Sequence, residues 1–264
     1  VNGSTVVGPD AVVMGGSYVE YGSTHQNIVD GKDVFGRVGK TYGNTYMEFS
    51  GNSQVQTGVY GGSYASYDYS GTADVTKLSA PEATQYGNVN LVVSGNAKIT
   101  GNVVGGGGAH SNTADVKPLS EIKGNVFVNV NGGWIGGSVY GGAYADGGKA
   151  VVSGNTSVSI SGGTVVGNVV GGGYSGDVTG DSSVNVTGGV VSGGISGGGY
   201  YGTVSGNTKV IVQGNAQIAD GVLGGGYALD SSNAGVVKGN TYVEIGGDAV
   251  IKGSVTKIAP TAKT

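Results

Sequence analysis

Hydrophobic and polar residues alternate in seven short segments of the chain, each of which opens with Gly-Asn or Gly-Asp. In the segment GNTSVSI, for example, Val158 and Ile160 alternate with Ser157 and Ser159. A period of two residues is typical of a β-strand with one buried face. The predicted inward pairs of these strands are Met47/Phe49, Leu91/Val93, Val128/Val130, Val158/Ile160, Val184/Val186, Val210/Val212 and Val243/Ile245.

A second aliphatic pair follows each of these strands after a glycine-containing corner, and its two members lie four residues apart. Corners with Gly-Asn contain one residue more than corners with Gly-Gly. Both dipeptides suit positive φ, so the extra residue predicts a wider turn rather than a loss of register. The second inward pairs are Val55/Val59, Ile99/Val103, Ile135/Val139, Val165/Val169, Val191/Ile195, Ile218/Val222 and Ile251/Val255.

A glycine-rich phrase then closes each unit: two glycines, a small residue and usually a tyrosine. It reads GGSY at 15–18 and 61–64, GGGG at 105–108, GGAY at 141–144, and GGGY at 171–174, 197–200 and 224–227. The shortest copies of the whole unit, 154–179 and 180–205, have 26 residues each. A repeat of this kind indicates a stacked array in which each copy buries its apolar face against its neighbours.

Composition narrows the class of fold. The chain has 264 residues, of which 58 are glycine, too many for a helical protein. Only 4 prolines and no Gly-X-Y period exclude a collagen helix, while 11% charged and 38% hydrophobic residues argue against disorder. Without cysteine there are no disulfides and no thiolate metal sites. The net charge of −4 without a basic cluster argues against nucleic-acid binding.

The motif GNTxVxIxGGxVxGxVxGGGY resembles the glycine-rich repeats of bacterial surface proteins, particularly the passenger regions of autotransporter-like adhesins. The resemblance covers about residues 43–255. It implies a right-handed parallel β-helix, an extracellular or bacterial cell-surface location, and a role in attachment, aggregation or biofilm formation. Because the chain begins with Val1 rather than methionine, an export signal or membrane anchor is expected only in regions outside it.

We therefore predict an all-β fold, a right-handed parallel β-helix (β-solenoid) of about seven to eight coils. The whole chain, 1–264, forms one domain, with an atypical first coil at 1–42, regular repeats at 43–252 and a C-terminal end or cap at 253–264. Extra residues at 65–86, 109–123, 145–153 and 228–238 predict insertions that collect at one corner. The rival is an antiparallel β-prism or propeller, although a propeller blade needs about 40 residues.

Tyrosines supply the main candidate binding surface. Stacked phenol rings can form a flat strip for sugar rings or for a partner's side chains, or they can simply cover the glycine turns; both readings stay open. The candidate ligand-binding strip comprises Tyr18, Tyr64, Tyr144, Tyr174, Tyr200, Tyr201 and Tyr227. Candidate loop contacts in the insertions are Tyr67, Tyr69, Tyr86 and His110.

Two polar columns accompany the tyrosines. Side-chain amides stacked along a solenoid are predicted to hydrogen-bond to one another and to the backbone, and the functional alternative is a polar ligand groove. These amides belong to Asn44, Asn88, Asn125, Asn155, Asn207 and Asn240, with Asp181 as the variant. A hydroxyl column is formed by Thr45, Thr156, Thr208 and Thr241 with Ser182, and one threonine per coil is sparse for an ice-binding surface.

Catalytic and metal chemistry is disfavoured by the distribution of charge. Residues 154–205 contain only two charged residues, Asp177 and Asp181. Polysaccharide cleavage on a β-helix needs clustered carboxylates or basic residues at a groove. The two histidines, His25 and His110, lie in insertion-like segments without a matching serine or aspartate pattern. The sequence thus predicts no catalytic residue, no metal site and no cofactor.

Taken with the resemblance, these features predict a non-enzymatic bacterial cell-surface adhesin or passenger fragment. It would mediate attachment or self-association through its loops and its tyrosine strip, with a host glycan, a host surface protein or identical copies of itself as partner. Outward strand residues such as Phe127, Ile211 and Tyr242 motivate the self-association. The alternatives are a polysaccharide-binding or polysaccharide-degrading β-helix protein and a purely structural stalk.

Overall fold

The computed structural model describes residues 1, 3–9, 11, 13–22, 28–29, 32–33, 38–68, 80–227 and 235–256. Every regular element in this part of the chain is a β-strand, because the glycine content disfavours helices and the valine-rich pattern favours a pleated surface. Equivalent strands of successive copies stack into five strand columns, which we name A to E in the order in which the chain visits them.

Columns A and B share one 13-stranded sheet, because two ten-residue strands run through both columns. Column A comprises Thr45–Phe49, Val89–Val93, the first halves of Val126–Ile135 and Thr156–Val165, then Ser182–Val186, Thr208–Val212 and Thr241–Ile245. Column B comprises Val6–Val7, Gln54–Val55, Lys98–Ile99, the second halves of the two long strands, Val190–Val191, Gln217–Ile218 and Val250–Ile251.

Three further columns complete the circuit, in sheets of eight, four and seven strands. Column C comprises Val13–Met14, Val59–Tyr60, Val103–Val104, Val139–Tyr140, Val169–Val170, Ile195–Ser196, Val222–Leu223 and Val255–Thr256. Column D comprises Tyr18–Gly22, Tyr64–Asp68, Gly108–Ser111 and Tyr144–Asp146. Column E comprises Val38–Tyr42, Glu82–Tyr86, Leu119–Ile122, Lys149–Val152, Asp177–Val178, Thr203–Val204 and Val236–Val237.

Pairing within all five columns is parallel, and it stays in register apart from a local shift at Asn131, in the corner where the long strands pass from column A to column B. Val128, for instance, pairs with Leu91 on one side and with Val158 on the other. The one antiparallel strand pair among the described residues joins Ile28–Val29 to Lys32–Asp33. The predicted all-β fold with parallel sheets is thus confirmed as a solenoid-like arrangement, and the antiparallel prism or propeller is wrong.

The predicted inward positions form the core in the middle of the array. Leu91, Val128 and Val158 are fully buried, as equivalent residues lie over one another in successive copies. The last described strands differ: Ile245 is 40% exposed and Val255 48% exposed, although both were predicted to face inward. Nothing in the described part of the chain stacks on their outer side, because they end columns A and C.

The two kinds of corner differ as the sequence predicts. At the Gly-Asn corner, Gly95 has φ +62° and Ala97 N–H donates to Ser94 O at 3.3 Å, closing a turn. Ala97 of this corner is fully buried and packs in the main core. At the Gly-Gly corner, Gly163 has φ +83°, and the strand Thr156–Val165 passes through it without a break.

The insertion segments are not simply loops, which corrects the sequence interpretation. Residues 65–68, 109–111 and 145–146 belong to column D, a four-stranded sheet whose remaining strand, Tyr18–Gly22, lies in the first coil. Residues 82–86, 119–122 and 149–152 belong to column E, which continues into the short copies. Residues 69–79 and 228–234, which belong to the predicted insertions, lie outside the described residues.

Candidate functional site

The glycine-rich phrase fixes the tyrosines by bringing neighbouring copies into close backbone contact. A Cβ atom on Gly141 would lie 2.4 Å from Gly171 O, so only glycine fits between these two chains. Inside the solenoid, Thr156 Oγ1 donates to the same Gly171 O at 2.7 Å. Ser182 and Thr208 make the equivalent bonds to Gly197 O and Gly224 O in the next two copies. These three hydroxyl groups therefore face the interior and connect the first strand to the phrase, rather than forming an ice-binding surface.

The tyrosines of the phrase form a continuous ladder of rings in the C-terminal half of the array. The ring centroids of Tyr144 and Tyr174 lie 4.6 Å apart with planes inclined by 10°. Tyr174 and Tyr200 follow at 5.5 Å and 24°, then Tyr200 and Tyr227 at 4.8 Å and 8°. Such pairs stack face to face, so neighbouring tyrosines occupy the ring faces and leave ring edges and hydroxyl groups at the surface. We name this row of rings, together with Tyr60, Tyr64 and Tyr18 at its N-terminal end, the tyrosine ladder.

A second tyrosine bridges the place where Gly108 interrupts the phrase. Tyr60 contacts Tyr64 edge-on at 4.8 Å and Tyr144 edge-on at 6.5 Å, and so links the two parts of the ladder. A Cβ atom on Gly108 would lie 2.4 Å from the ring of Tyr64. The sequence exception is thus explained by packing, since a side chain there would displace the ring. At the N-terminal end, Tyr18 extends the ladder from Tyr64 at 5.9 Å and 33°.

The ladder rests on a small apolar cluster on the outer side of column C. Val104, Tyr140 and Val170 are buried there, outside the main core. Tyr140 meets Tyr144 at 6.1 Å and Tyr174 at 5.9 Å, in both cases edge to face. Sequence reasoning left Tyr60 and Tyr140 out of the site. Their signal was the outward position directly before each glycine pair.

Tyr201 joins the surface of the ladder through edge-to-face contacts. Its ring is perpendicular to that of Tyr200 at 4.8 Å and inclined by 75° to that of Tyr174 at 5.2 Å. The structure therefore brings all seven tyrosines of the predicted strip into one connected set. Whether this set binds a ligand stays a prediction.

The residues that the sequence predicted as loop contacts lie in different structural environments. Tyr67 lies in the strand Tyr64–Asp68 of column D and is only 1% exposed, so it is a buried strand residue and not a loop contact. Tyr69 lies outside the described residues. Tyr86 ends the strand Glu82–Tyr86 and stacks on Tyr42 at 4.9 Å and 10°, away from the tyrosine ladder.

His110 also lies in a strand rather than in a loop. It belongs to Gly108–Ser111, pairs in register with Ser66, and its Nδ1 lies 3.4 Å from Asp146 Oδ2. Its side chain is about one-third exposed and therefore accessible to a partner. The described residues contain no group of three or more His, Cys, Asp or Glu side chains placed to hold a metal ion.

Burial changes the acidity of the ladder hydroxyl groups. Desolvation raises the pKa of Tyr140 to about 12, and desolvation together with a hydrogen bond to Glu20 raises that of Tyr18 to about 12. Burial likewise raises the pKa of Tyr60, Tyr64, Tyr144, Tyr174 and Tyr200. All these hydroxyl groups therefore stay protonated near neutral pH and can donate hydrogen bonds.

The raised pKa of the buried tyrosines should make the stability of the protein fall at alkaline pH. Tyrosines in the unfolded chain ionise near pH 10, whereas Tyr140 in the folded chain ionises near pH 12. Above about pH 10 the unfolded state then binds fewer protons, so the contribution of Tyr140 to the free energy of unfolding is constant below about pH 10 and falls between about pH 10 and 12. Tyr140 alone accounts for roughly 3 kcal/mol of this loss. Urea unfolding across this pH range, with Tyr140→Phe as control, measures it; an equal decline in the variant would contradict the assignment.

The predicted asparagine column is a hydrogen-bonded ladder that links successive copies. Asn125 Oδ1 accepts from Asn155 N–H at 2.9 Å, and Asn155 Oδ1 accepts from Asp181 N–H at 2.8 Å. Asp181 Oδ1 in turn accepts from Asn207 N–H at 2.7 Å, so the carboxylate replaces the amide without breaking the series. The structural reading of this column is confirmed by these bonds.

Trp134 is an exposed aromatic residue that the sequence reasoning did not single out. Trp134, 37% exposed, lies on the outer side of column B, and Lys98 Nζ lies 5.0 Å from its ring centroid. The signal in the sequence was its outward position, directly before the inward Ile135.

In comparisons with known proteins, the chain matches no family model, and no curated protein or solved structure is significantly similar to it.

Proposed function

We propose that this chain is a non-enzymatic attachment module of a bacterial cell surface. It is built as a right-handed parallel β-helix of seven to eight coils, and it contacts its partner through the tyrosine ladder. The resemblance of its repeat to glycine-rich passenger regions supports the location and the handedness. The parallel columns A to E support the solenoid itself.

The single observation that carries the proposal is that the ladder rings are ordered before any partner arrives. Tyr144, Tyr174, Tyr200 and Tyr227 hold one another at centroid separations of 4.6–5.5 Å. Binding orders side chains at a cost of about 0.5–1.5 kcal/mol each, and stacking has already met this cost. Tyrosine also offers rigid amphipathic contact area, which explains its enrichment in binding surfaces.

The geometry also favours one kind of partner. Because the ring faces are covered by neighbouring rings, a sugar ring cannot lie flat on Tyr174 or Tyr200. The ladder instead presents ring edges and a row of protonated hydroxyl groups. These suit a protein surface rich in carbonyl or carboxylate acceptors, on a host cell or on an identical copy. Tyr86 and His110 stay as predicted contacts outside the ladder.

A triple alanine variant of Tyr174, Tyr200 and Tyr227 tests the proposal. Truncating a binding hot spot costs about 2 kcal/mol or more, and about 1.4 kcal/mol is a factor of ten in affinity. Beads coated with the variant should therefore adhere to epithelial monolayers at least about tenfold less than beads coated with the natural protein. The triple phenylalanine variant keeps the rings and should lose only the share due to the hydroxyl groups.

Tyr46→Ala is the matched control, because Tyr46 is an exposed tyrosine on column A, remote from the ladder in sequence and column. It should adhere like the natural protein. Circular dichroism and urea unfolding establish that each variant is folded. Unchanged adhesion of the folded triple alanine variant would overturn the ladder as the contact surface and favour a purely structural stalk.

A further inference from the structure

We propose that a groove on the outer side of column A binds a sugar unit, at a site separate from the tyrosine ladder. Its cavity of about 370 Å³ spans the last three copies. This volume lies in the lower part of the range for small-molecule sites, roughly 300–1,000 Å³. The residues that supply its chemistry are Asp181, Ser183, Asn207, Lys209, Asn240 and Tyr242.

Two parallel rows of side chains form the walls of the groove. One row continues the asparagine ladder, where Asp181 Oδ1 accepts from Asn207 N–H at 2.7 Å and Asn207 Oδ1 accepts from Asn240 N–H at 2.9 Å. These bonds hold the polar wall in place. In the described contacts, the second carboxylate oxygen of Asp181 and the amide NH₂ of Asn240 make no hydrogen bond, so they can serve a ligand.

The other row consists of Ser183, Lys209 and Tyr242, which are neighbours in register on three successive strands. Tyr242 is 48% exposed, and its hydroxyl donates to Glu244 Oε2 at 3.0 Å, which limits the rotation of the ring. Lys209 Nζ lies 5.5 Å from the centroid of that ring. An aromatic ring, a cation and polar side chains thus line one groove.

This combination matches a saccharide better than other ligands. Sugar hydroxyl groups both donate and accept, so one ring can donate to Asp181 and accept from Lys209 and Asn240. The C–H groups of a sugar can pack on the ring of Tyr242, as aromatic residues supply apolar surface with a polar edge. A strongly anionic polymer is disfavoured, because Lys209 is the one cation among the lining residues, Asp181 lines the same groove, and Glu244 accepts from Tyr242.

The repeat itself shows that these side chains are not required by the fold. At the position of Lys209 and Tyr242, the copies that begin at Gly154 and Gly180 carry Ser157 and Ser183. At the position of Asp181, most copies carry asparagine. Lys209→Ser, Tyr242→Ser and Asp181→Asn therefore install residues that the same architecture already accommodates, and they should fold.

Saturation-transfer difference NMR with cellobiose, maltose, lactose and N,N′-diacetylchitobiose tests the site on the full chain. At least one disaccharide should receive saturation, with an affinity that drops at least about tenfold in the Lys209→Ser/Tyr242→Ser double variant. Asp181→Asn should lower the affinity for the same disaccharide by a smaller factor than the double variant does. Tyr46→Ser is the matched control, because Tyr46 bonds Glu48 at 3.0 Å as Tyr242 bonds Glu244, but its neighbour in register is Asn90.

Three results would each contradict a sugar-binding site in the groove. The first is that none of the four disaccharides receives saturation, and the second is that the double variant binds the disaccharide as tightly as the natural protein does. The third is that Tyr46→Ser loses as much affinity as the double variant. The triple alanine variant of the tyrosine ladder should keep disaccharide binding, and its loss there would assign the sugar to the ladder instead. Conversely, the groove variants should keep adhesion to epithelial monolayers. Disaccharide binding therefore tests the groove, and adhesion to epithelial monolayers independently tests the tyrosine ladder.

Discussion

A protein lacking residues 184–209 should fold, whereas a protein lacking residues 184–208 should not reach the same structure. The first deletion removes 26 residues, the spacing at which Asn207 N–H bonds Asp181 Oδ1 in the next copy. It joins Ser183 to Val210, so that Val210 lies over Val158 and Val212 over Ile160. Every inward residue then still meets its equivalent.

The shorter deletion changes the alternation by one position. Lys209 would take the inward place over Val158, and Val210 would face solvent over Ser159. A register shift of one residue moves all the inward side chains of a strand to its outer face. It also buries the ammonium group of Lys209 without a partner, which is strongly unfavourable. The chain can escape only by distorting the strand or its corner.

The difference between the two deletions is measurable as a free energy of unfolding. Stability in a linear array is approximately a sum over units, and natural proteins hold roughly 0.05–0.15 kcal/mol per residue. The 26-residue deletion should therefore lose about 1–4 kcal/mol and unfold in one transition. Urea unfolding and size-exclusion chromatography compare the two proteins. Equal midpoints for both would show that alternation does not set the register.

The strands of column A were predictable because their chemistry is regular. Inward Val158 and Ile160 alternate with Ser157 and Ser159, and each such strand meets a similar one above and below. Several strands of columns D and E were read as insertions because their alternation is blurred. In the strand Glu82–Tyr86, for example, the inward and outward positions are a mixture of small and polar residues, and Gln85 is fully buried.

The site was predictable in its positions but not in its geometry. The repeat phrase placed Tyr174, Tyr200 and Tyr227 in one file, and the structure stacks them. That the rings lie face to face follows from the copy-to-copy spacing and from edge contacts with Tyr140, a residue of another column. Sequence patterns carry no information on ring planes, so the flat strip for sugars was an open reading that stacking disfavours.

Gly197→Ala should be among the most damaging single substitutions in the chain. A Cβ atom at this position would lie 2.4 Å from Gly224 O and 2.9 Å from Val210 Cγ2. The first contact is with backbone, and the second is with a fully buried side chain. Real Cβ atoms do not approach a carbonyl oxygen so closely, so the two chains must separate.

Separation is costly because the two chains are bonded around the contact. Gly197 N–H donates to Leu223 O at 2.9 Å, and Gly224 O accepts from Thr208 Oγ1 in the interior. Parallel strands stand about 4.7–4.9 Å apart, and a wider gap breaks these bonds without offering water as a substitute. We expect a loss of roughly 3–5 kcal/mol in the free energy of unfolding, at the upper end for single substitutions.

Gly8→Ala is the matched control for this substitution. No atom lies within 4 Å of a Cβ built on Gly8, and its φ is not in the left-handed region. Alanine there should change stability by no more than about 1 kcal/mol, since it chiefly reduces the freedom of the unfolded chain. If urea unfolding gives Gly197→Ala a stability within 1 kcal/mol of that control, close backbone packing is not the reason for the glycine pair. The ring spacing of the tyrosine ladder would then need another cause, because only Gly199 separates Tyr200 from this pair, and Tyr200 N–H donates to Gly173 O at 2.8 Å.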